Sequence, residues 1–343
     1  MTAAAARPLG AAYGAPNAVA ARVPTHAQAV VFDAPGALAL RELALTTPGD
    51  ADVVVDVEWS AVSAGTERLF WRGTMPLFPG MGYPLVPGYE TVGRVRWAGP
   101  ASGRVVGERV FLPGAYSFSD ARNLFGGAAR TLVAPGTRAV PVGEALGAET
   151  VLLALAATAM HAVGGGAPGA ALPDLIVGHG ALGRLAARIV VALGGPAPTV
   201  WEREPARLPG AEGYAVTRAE EDPRRDYRAA LDASGAPGVI DLLVPRLARG
   251  GEVVLGGFYT EPLSFQYVPA FMRGLRLRVA AEWTPGDLAA AAALVADGRL
   301  SLAGLITHTA DAADGEHAVA AAYRTAFDDA ACVKMVLDWR RCP

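Results

Sequence analysis

Lysine and cysteine are both scarce in this chain of 343 residues, and their scarcity excludes several classes of protein. Lys334 is the only lysine, and the net charge of −3 leaves no basic excess that could follow a nucleic-acid backbone. The two cysteines, Cys332 and Cys342, are too few for a disulfide framework or for a four-cysteine zinc site. We therefore expect a reducing, cytoplasmic setting.

Long apolar runs are also missing. The longest, 151–163, spans 13 positions, short of the roughly 18 that a membrane-spanning helix needs, and it predicts a buried helix. Residues 1–28 are rich in Ala, Pro and Gly and have no continuous apolar segment of the kind found in secretion signals. We interpret them as a disordered N-terminal extension. A transit peptide stays open as an alternative, because Arg7 and Arg22 stand there without any acidic residue.

Two patterns of secondary structure follow one another along the rest of the chain. First come short apolar or alternating segments separated by Gly and Pro, which predict an irregular, antiparallel β domain. Its strands are expected at 29–32, 38–45, 52–59, 91–97 and 109–112. Then helices alternate with short apolar strands, which predicts an α/β fold with a doubly wound parallel (Rossmann) sheet. The helices are expected at 148–163, 182–193, 287–296 and 316–327, and the strands at 175–177, 199–201, 214–216, 229–231, 252–255, 275–280, 302–307 and 333–337.

These patterns divide the chain into two domains, as its length suggests. The β-rich catalytic domain is placed at 29–150 and is completed by 300–343, since the strand at 302–307 is expected to return to it. The nucleotide-binding domain is placed at 151–299.

A glycine-rich loop carries the clearest functional signal. Gly178, Gly180 and Gly183 are spaced G-x-G-x-x-G, directly after the strand at 175–177 and directly before a helix. In that context the first glycine permits a tight turn, the second lets the backbone approach a pyrophosphate, and the third lets helix and strand pack closely. The whole segment is predicted to bind a dinucleotide; its other members are His179, Ala181 and Leu182.

The choice of cofactor depends on the end of the next strand. Glu202 lies 19 residues after Gly183, at the position of the acidic residue that takes the ribose hydroxyls of NAD. A carboxylate there repels the 2′-phosphate of NADP, so the sequence favours NAD. The neighbouring Arg203 leaves NADP open, because an arginine can accept that phosphate.

A β-rich domain, a central Rossmann domain and a returning segment resemble the medium-chain dehydrogenase/reductase superfamily, whose first domain is GroES-like. The segments SAGTE at 63–67 and PGYE at 87–90 stand where zinc-dependent members carry their first two catalytic turns. The segments LDASG at 231–235 and GGEVVL at 250–255 match the later Rossmann strands. The resemblance places Thr158 beside the nicotinamide and Ser234 with the cofactor.

The departures from this pattern predict that the enzyme holds no zinc. Where the superfamily has its three zinc ligands, this sequence has Ala64, Tyr89 and Ala154. Alanine cannot bind a metal, and zinc needs three nitrogen, sulfur or oxygen donors from the protein. Glu90 alone remains at that place.

The loops are most similar to one branch of the superfamily, the bacteriochlorophyllide a dehydrogenases. The similarity lies in TERLFW at 66–71, FPGMGYPLVPGYE at 78–90, DLIVGHG at 174–180, GGFY at 256–259 and LITH at 305–308. This resemblance implies NAD-dependent oxidation of the C3 1-hydroxyethyl group of a bacteriochlorophyllide to acetyl, late in bacteriochlorophyll a biosynthesis. It also implies a small-molecule substrate and a homo-oligomer, located in the cytoplasm or at the periphery of photosynthetic membranes.

Without zinc, a side chain must hold the substrate oxygen. We expect Tyr89 and Thr66 to do so, with Glu67 or Glu90 behind them, since a perturbed tyrosine can act as a general acid or base. The structural alternatives are a packed wall for Tyr89, a loop cap for Thr66 and an ion pair for the two glutamates.

Further candidates surround this site. His161, one helical turn after Thr158, is either a residue of the substrate pocket or a core histidine. His179 is expected to line the pyrophosphate or nicotinamide side. The aromatic residues Trp71 and Tyr83 either stack on a flat macrocycle or form the core of the β domain.

Two other functions remain open on the sequence alone. The first is a zinc-free quinone or enone reductase that uses NADPH. The second is a non-catalytic protein that binds a dinucleotide and a pigment, which the loss of all three zinc positions would also fit.

Overall fold

The protein is described here from a computed structural model that covers residues 23–76, 78–165, 169, 171–280 and 282–343. Residues 1–22 of the predicted extension lie outside the described residues. The first strand begins at His26 and pairs with the second strand from its first residue onward. Positions 26–28, which we had assigned to the extension, therefore belong to a sheet.

The elements alternate between strands and helices after residue 148, and strands dominate before it. The strands are β1 (His26–Ala34), β2 (Ala37–Ala44), β3 (Asp52–Val62), β4 (Leu85–Pro87), β5 (Thr91–Ala98), β6 (Arg109–Leu112), β7 (Arg122–Leu124), β8 (Thr131–Pro135), β9 (Val140–Pro141), β10 (Leu175–Val177), β11 (Thr199–Trp201), β12 (Ala215–Thr217), β13 (Tyr227–Asp232), β14 (Leu247–Leu255), β15 (Arg276–Val279), β16 (His308–Asp311) and β17 (Met335–Asp338). The α-helices are α1 (Ala64–Arg72), α2 (Leu153–Gly164), α3 (Ala181–Ala192), α4 (Val239–Leu243), α5 (Tyr267–Arg273), α6 (Pro285–Ala296) and α7 (Glu316–Asp328). Short 3₁₀ turns lie at Ala148–Leu152, Pro205–Arg207, Val244–Arg246 and Ala312–Asp314.

The first part of the chain forms two sheets that are mostly antiparallel. One has the strand order β2-β1-β4-β7, and the other has the order β16-β17-β3-β5-β6-β9 with β8 also paired to β3. The end of the chain thus returns to the first sheets, because β17 pairs antiparallel with β3.

The returning strand is not where the sequence predicted it. Residues 302–307 are irregular, and β16 begins one residue later, at His308. Leu302 and Leu305 are buried against α2 and α3, and Gly304 between them has a left-handed φ of +70°. The segment was therefore predicted as a strand because of its apolar residues, although Leu302 and Leu305 belong to a turn that packs on the helices.

The middle of the chain forms one parallel sheet with the order β12-β11-β10-β13-β14-β15. Neighbouring residues on its central strands point to opposite faces, as the pleat requires. Ile176 packs with α2, α3 and α6 on one face, whereas Leu175 packs with α4 and α5 on the other. This is the doubly wound architecture that the sequence predicted.

Residues of the β sheets and of the parallel sheet together line one large cleft of about 1520 Å³. Its floor is the edge of the parallel sheet where β10, β11 and β13 end, which is the usual place for a ligand in such a fold. None of the described helices is both long and apolar enough to span a bilayer.

Candidate active site

The glycine-rich loop forms one end of the cleft. Gly178 has a φ of +97°, a conformation that side chains disfavour. A Cβ on Gly183 would lie 1.9 Å from the Gly178 carbonyl oxygen, so only glycine fits where α3 crosses the end of β10. A Cβ on Gly180 would meet nothing within 4 Å. The backbone there faces open space at the amino end of α3, where the helix dipole favours an anion.

Glu202 lies beside this loop and is held by the backbone. Its carboxylate accepts hydrogen bonds from the N–H groups of His179, Arg203 and Glu204 at 2.8, 2.7 and 2.9 Å. Glu202 lines the cleft although it is largely buried. The side chain of Arg203 also lines the cleft and is 86% exposed, and it contacts the neighbouring Glu204 carboxylate at 3.8 Å without a buried partner to hold it. The anion-repelling carboxylate is thus fixed in place, whereas the arginine is not.

The side chain of His179 points away from the cleft, which corrects our expectation that it lines the cofactor side. Its Nδ1 lies 2.6 Å from the Arg207 carbonyl oxygen, and its Nε2 lies 2.8 Å from the Tyr214 hydroxyl. Burial lowers the pKa of His179 to about 4, so the ring is neutral at ordinary pH. His179 therefore holds the segment that follows β11 and contributes only its backbone to the loop.

Thr158 and Ser234 complete the nucleotide end, and both line the cleft. The Thr158 hydroxyl donates to the Ala154 carbonyl one turn back in α2, at 3.0 Å. Ser234 donates from its N–H and its hydroxyl to the Asp232 carboxylate at 2.9 and 2.5 Å. Asp232 also accepts from the Tyr259 hydroxyl at 2.5 Å, which ties together the loops after β13 and β14.

At the other end of the cleft, two hydroxyl groups meet where the superfamily has zinc ligands. The Tyr89 phenol is hydrogen bonded to the Ser63 hydroxyl, and Thr66 lines the cleft beside them. The Tyr89 ring packs edge-to-face on Phe125, with the ring centres 5.6 Å apart. Burial, reinforced by the nearby Glu90 carboxylate, raises the pKa of Tyr89 well above its ordinary range. The phenol is therefore protonated at neutral pH.

Behind the hydroxyl pair lies a buried ion pair whose lysine partner the sequence did not indicate. Lys334 Nζ donates to both carboxylate oxygens of Glu90, at 2.9 and 2.8 Å, and to the Val62 carbonyl at 3.2 Å. Glu90 is fully buried and does not line the cleft. Glu90 thus forms an ion pair, as the structural alternative from the sequence has it, and its side chain does not reach the cleft.

Glu67 is fully buried too and does not line the cleft. Its Oε1 accepts from the Ser63 N–H at 3.0 Å, and its Oε2 has no hydrogen-bond partner among the described residues. Burial raises the pKa of Glu67 to about 8, and the neighbouring Glu90 adds to the rise. Because Lys334 is already paired with Glu90, Glu67 has no counter-charge of its own and stays protonated at neutral pH.

Three residues that we expected to contact the substrate lie elsewhere. Trp71 packs on Phe32 inside the β domain, and the Tyr83 hydroxyl donates to the Phe70 carbonyl. Both residues pack against the core of the β domain, which was the second of the two roles that the sequence left open for them. His161 Nδ1 lies 3.0 Å from an Asp287 carboxylate oxygen, and this contact joins α2 to α6 outside the cleft.

The wall of the cleft beyond Tyr89 comes from residues that sequence reasoning missed. They are large or charged. Because they belong to segments far apart in the chain, no local sequence motif predicts them. They are Tyr116, Phe125, Arg138, Trp283 and Leu288.

The donors around Tyr89 do not fit a catalytic zinc. Ala64 lines the cleft without a donor atom, Ala154 is fully buried, and Glu90 is tied to Lys334. Across the described ranges, no three side chains of His, Cys, Asp or Glu come together as a metal site would require.

Comparison with known proteins places this cleft in a family. Residues 49–144 match the alcohol dehydrogenase GroES-like domain. The 2-desacetyl-2-hydroxyethyl bacteriochlorophyllide A dehydrogenase of Rhodobacter capsulatus is 57% identical over 314 residues, which are 91% of this chain and 98% of the relative. The enzyme of the same name from Cereibacter sphaeroides is 55% identical over 317 residues, again 91% and 98% of the two chains.

The fold agrees with these relatives. A solved structure of an alcohol dehydrogenase from Escherichia coli CFT073, in complex with NADH, superposes with a TM-score of 0.76 at 22% sequence identity. It covers 92% of this chain and all of that one. The protein is an oxidoreductase with an alcohol dehydrogenase GroES-like domain, and it belongs to the family of the bacteriochlorophyllide a dehydrogenases.

Proposed function

We propose that this enzyme oxidises the C3 1-hydroxyethyl group of a bacteriochlorophyllide to an acetyl group, with NAD as the cofactor and without zinc. The observation that carries the proposal is the Tyr89–Ser63 hydroxyl pair, which stands in place of a metal site in a cleft that also holds the glycine-rich loop. The high identity to two bacteriochlorophyllide dehydrogenases supports the choice of substrate.

The size of the cleft supports a bulky second ligand. Its volume of about 1520 Å³ exceeds the roughly 300–1,000 Å³ of a typical single-ligand site. Aromatic side chains line the part beyond Tyr89, among them Phe125 and Trp283. Such rings offer flat apolar surfaces for a macrocycle.

The bound nicotinamide supplies the acceptor for the hydride that leaves the carbinol carbon. The chain itself must bind the alcohol oxygen and remove its proton. We assign Tyr89 and Thr66 to that oxygen. As the alcohol proton moves to the Tyr89 oxygen, the phenol proton moves to Ser63, and water in the open cleft takes up the proton released. The phenol thus never persists as an anion, in keeping with its raised pKa.

Glu67 and the Glu90–Lys334 pair keep this hydroxyl pair in position. The Glu67 carboxyl anchors the Ser63 backbone, and Lys334 holds the end of β3 at Val62, the residue before Ser63. Hydroxyl groups held in this way are oriented before the substrate arrives, which lowers the cost of reaching the transition state.

The preference for NAD over NADP rests on Glu202. Its carboxylate is held by three N–H groups beside the glycine-rich loop, so it cannot turn away from a 2′-phosphate. Arg203 is exposed and already lies beside the Glu204 carboxylate, at 3.8 Å, so it offsets little of this repulsion.

The direct experiment incubates the purified protein with 3-(1-hydroxyethyl) bacteriochlorophyllide a and either NAD or NADP. Mass spectrometry should show a product that is lighter by two hydrogens, formed with NAD. Bound but unconverted pigment would instead favour a non-catalytic pigment carrier.

We also infer a homo-oligomer. The support is an exposed apolar surface at the open edge of the parallel sheet, formed by α5 and β15. Tyr267, Val268, Phe271 and Val279 are each more than 60% exposed there. Surfaces of this kind commonly mark contacts between chains. Light scattering coupled to gel filtration measures the mass, and a monomer would contradict the inference.

A further inference from the structure

Arg138 is an arginine of the cleft whose charge is not used within the fold. It lies between β8 and β9, and its Nη2 donates to the Pro113 carbonyl oxygen at 2.7 Å. Its Nε is buried and has no hydrogen-bond partner among the described residues. None of the ion pairs formed by those residues includes Arg138. Because Arg138 lines the cleft, its positive charge stands at a place open to a ligand without an acidic partner among the described residues.

The neighbours of Arg138 hold it in a fixed orientation. Its guanidinium carbon lies 5.9 Å from the centre of the Tyr116 ring, which is 60% exposed and also lines the cleft. The contact with Pro113 holds one side of the guanidinium fork, which leaves another side free for a ligand. A guanidinium presents paired donors that match the two oxygens of a carboxylate.

Arg138 lies on the substrate wall and not at the nucleotide end. Phe125 connects it to the reacting centre: its ring packs on Tyr89, and its carbonyl accepts from the N–H of Ala115, two residues after Pro113. The other arginines that line the cleft, Arg68, Arg203 and Arg207, belong to α1 or follow β11. The pKa of Arg68 is lowered first by burial, then by the charge of Arg72 and then by that of Arg207. Arg68 and Arg207 therefore lie close together.

We propose that Arg138 binds a free carboxylate of the substrate, so that the enzyme selects the acid form of the pigment over its ester. This inference rests on the proposed function. A bacteriochlorophyllide is a free acid, because its propionate side chain has not yet been esterified with a long alcohol. That propionate lies on the pyrrole ring next to the one that bears the hydroxyethyl group. A single cation on the wall beyond Tyr89 can therefore bind the propionate while Tyr89 holds the hydroxyethyl oxygen.

The test compares the hydroxyethyl bacteriochlorophyllide with its methyl ester as substrates. For the wild-type enzyme, KM for the ester should be about tenfold or more higher than for the acid, the usual effect of losing one charged hydrogen bond. In Arg138→Met, KM for the acid should rise to that of the ester, while KM for the ester and kcat stay unchanged. Arg138→Lys keeps the charge but not the fork, so its KM for the acid should lie in between. Arg324→Met, which changes an exposed arginine on α7 outside the cleft, is the matched control.

Each outcome separates this inference from the proposed function. Equal KM values for acid and ester in the wild type overturn the role of Arg138 but leave the dehydrogenase activity standing. An Arg138→Met variant that weakens acid and ester alike shows a structural role and also overturns it. A wild-type enzyme that oxidises neither pigment contradicts the proposed function, and this inference with it. If Arg138→Met fails to fold, the comparison of acid and ester in the wild type decides alone.

Discussion

Lys334, the only lysine of the chain, donates to both carboxylate oxygens of Glu90 at 2.9 and 2.8 Å, and both side chains are buried. The pair joins the last strand of the chain to the turn that carries Tyr89. It also leaves Glu67, the other buried carboxyl group nearby, without a counter-charge. Stability, pH dependence and catalysis are therefore linked at this point.

Replacing Lys334 by Met should destabilise the fold strongly. Breaking a buried pair leaves an uncompensated charge, which typically costs about 3–5 kcal/mol. Urea denaturation of Lys334→Met measures the loss. The double variant Lys334→Met with Glu90→Gln removes both charges and should recover much of it. A loss of less than about 1 kcal/mol in the single variant, as for a surface pair, would contradict this account.

The stability of the protein should fall as pH rises from about 4.5 to about 8, in part because of Glu67. In the folded protein its pKa is about 8, whereas the ordinary value is 4.5. The stabilisation is thus complete below pH 4.5, where both states hold the proton. It is lost as pH rises through the folded pKa, at up to about 1.4 kcal/mol per pH unit.

Glu67→Gln removes this dependence and tests it. The free energy of unfolding of the variant and of the wild type is measured in urea between pH 5 and 8. As pH rises, the value for the variant should converge with that of the wild type and then exceed it. Glu42→Gln, an exposed position on β2, should follow the wild-type curve throughout. A Glu67→Gln curve parallel to the wild type would show that Glu67 is ionised when folded.

Tyr89→Phe should remove most of the activity and little else. A side chain that holds or passes a proton in the reaction typically contributes about 10²–10⁴-fold to the rate. We expect kcat to fall within that range while NADH binding, followed by fluorescence, is unchanged. Tyr83→Phe deletes a hydroxyl that lies outside the cleft and should leave kcat and KM unaltered. Undiminished turnover by folded Tyr89→Phe would remove Tyr89 from the mechanism.

Glu202→Gln should weaken the preference for NAD. The amide keeps the shape of the side chain but no longer repels a 2′-phosphate, so the affinity ratio of NADH to NADPH should drop by about tenfold. Fluorescence titrations with both cofactors measure this ratio. An unchanged ratio would mean that another group selects the cofactor.

The parts of the site that depend on local sequence were predictable, and those that depend on distant partners were not. Gly183 must be a glycine because it touches Gly178 five residues away, so the motif itself carries the geometry. The direction of the His179 side chain depends on contacts 28 and 35 positions further along the chain. The Lys334–Glu90 pair spans 244 positions. Lysine is rare in the sequence, but its rarity does not indicate which carboxylate Lys334 pairs with.

The returning strand was misplaced for the same physical reason. The apolar spacing around Leu302 and Leu305 suits a strand as well as a turn that packs on a helix. Only the packing against α2 and α3 decides between the two.

The central claim is that the hydroxyl groups of this chain, and no zinc ion, support the oxidation of the alcohol. The most direct test follows the red shift of pigment absorbance during turnover with NAD, using enzyme whose zinc content is measured before and after treatment with a chelator. We predict substoichiometric zinc and an unchanged rate after chelation. A rate that falls with the zinc content and returns when zinc is added back would contradict the claim.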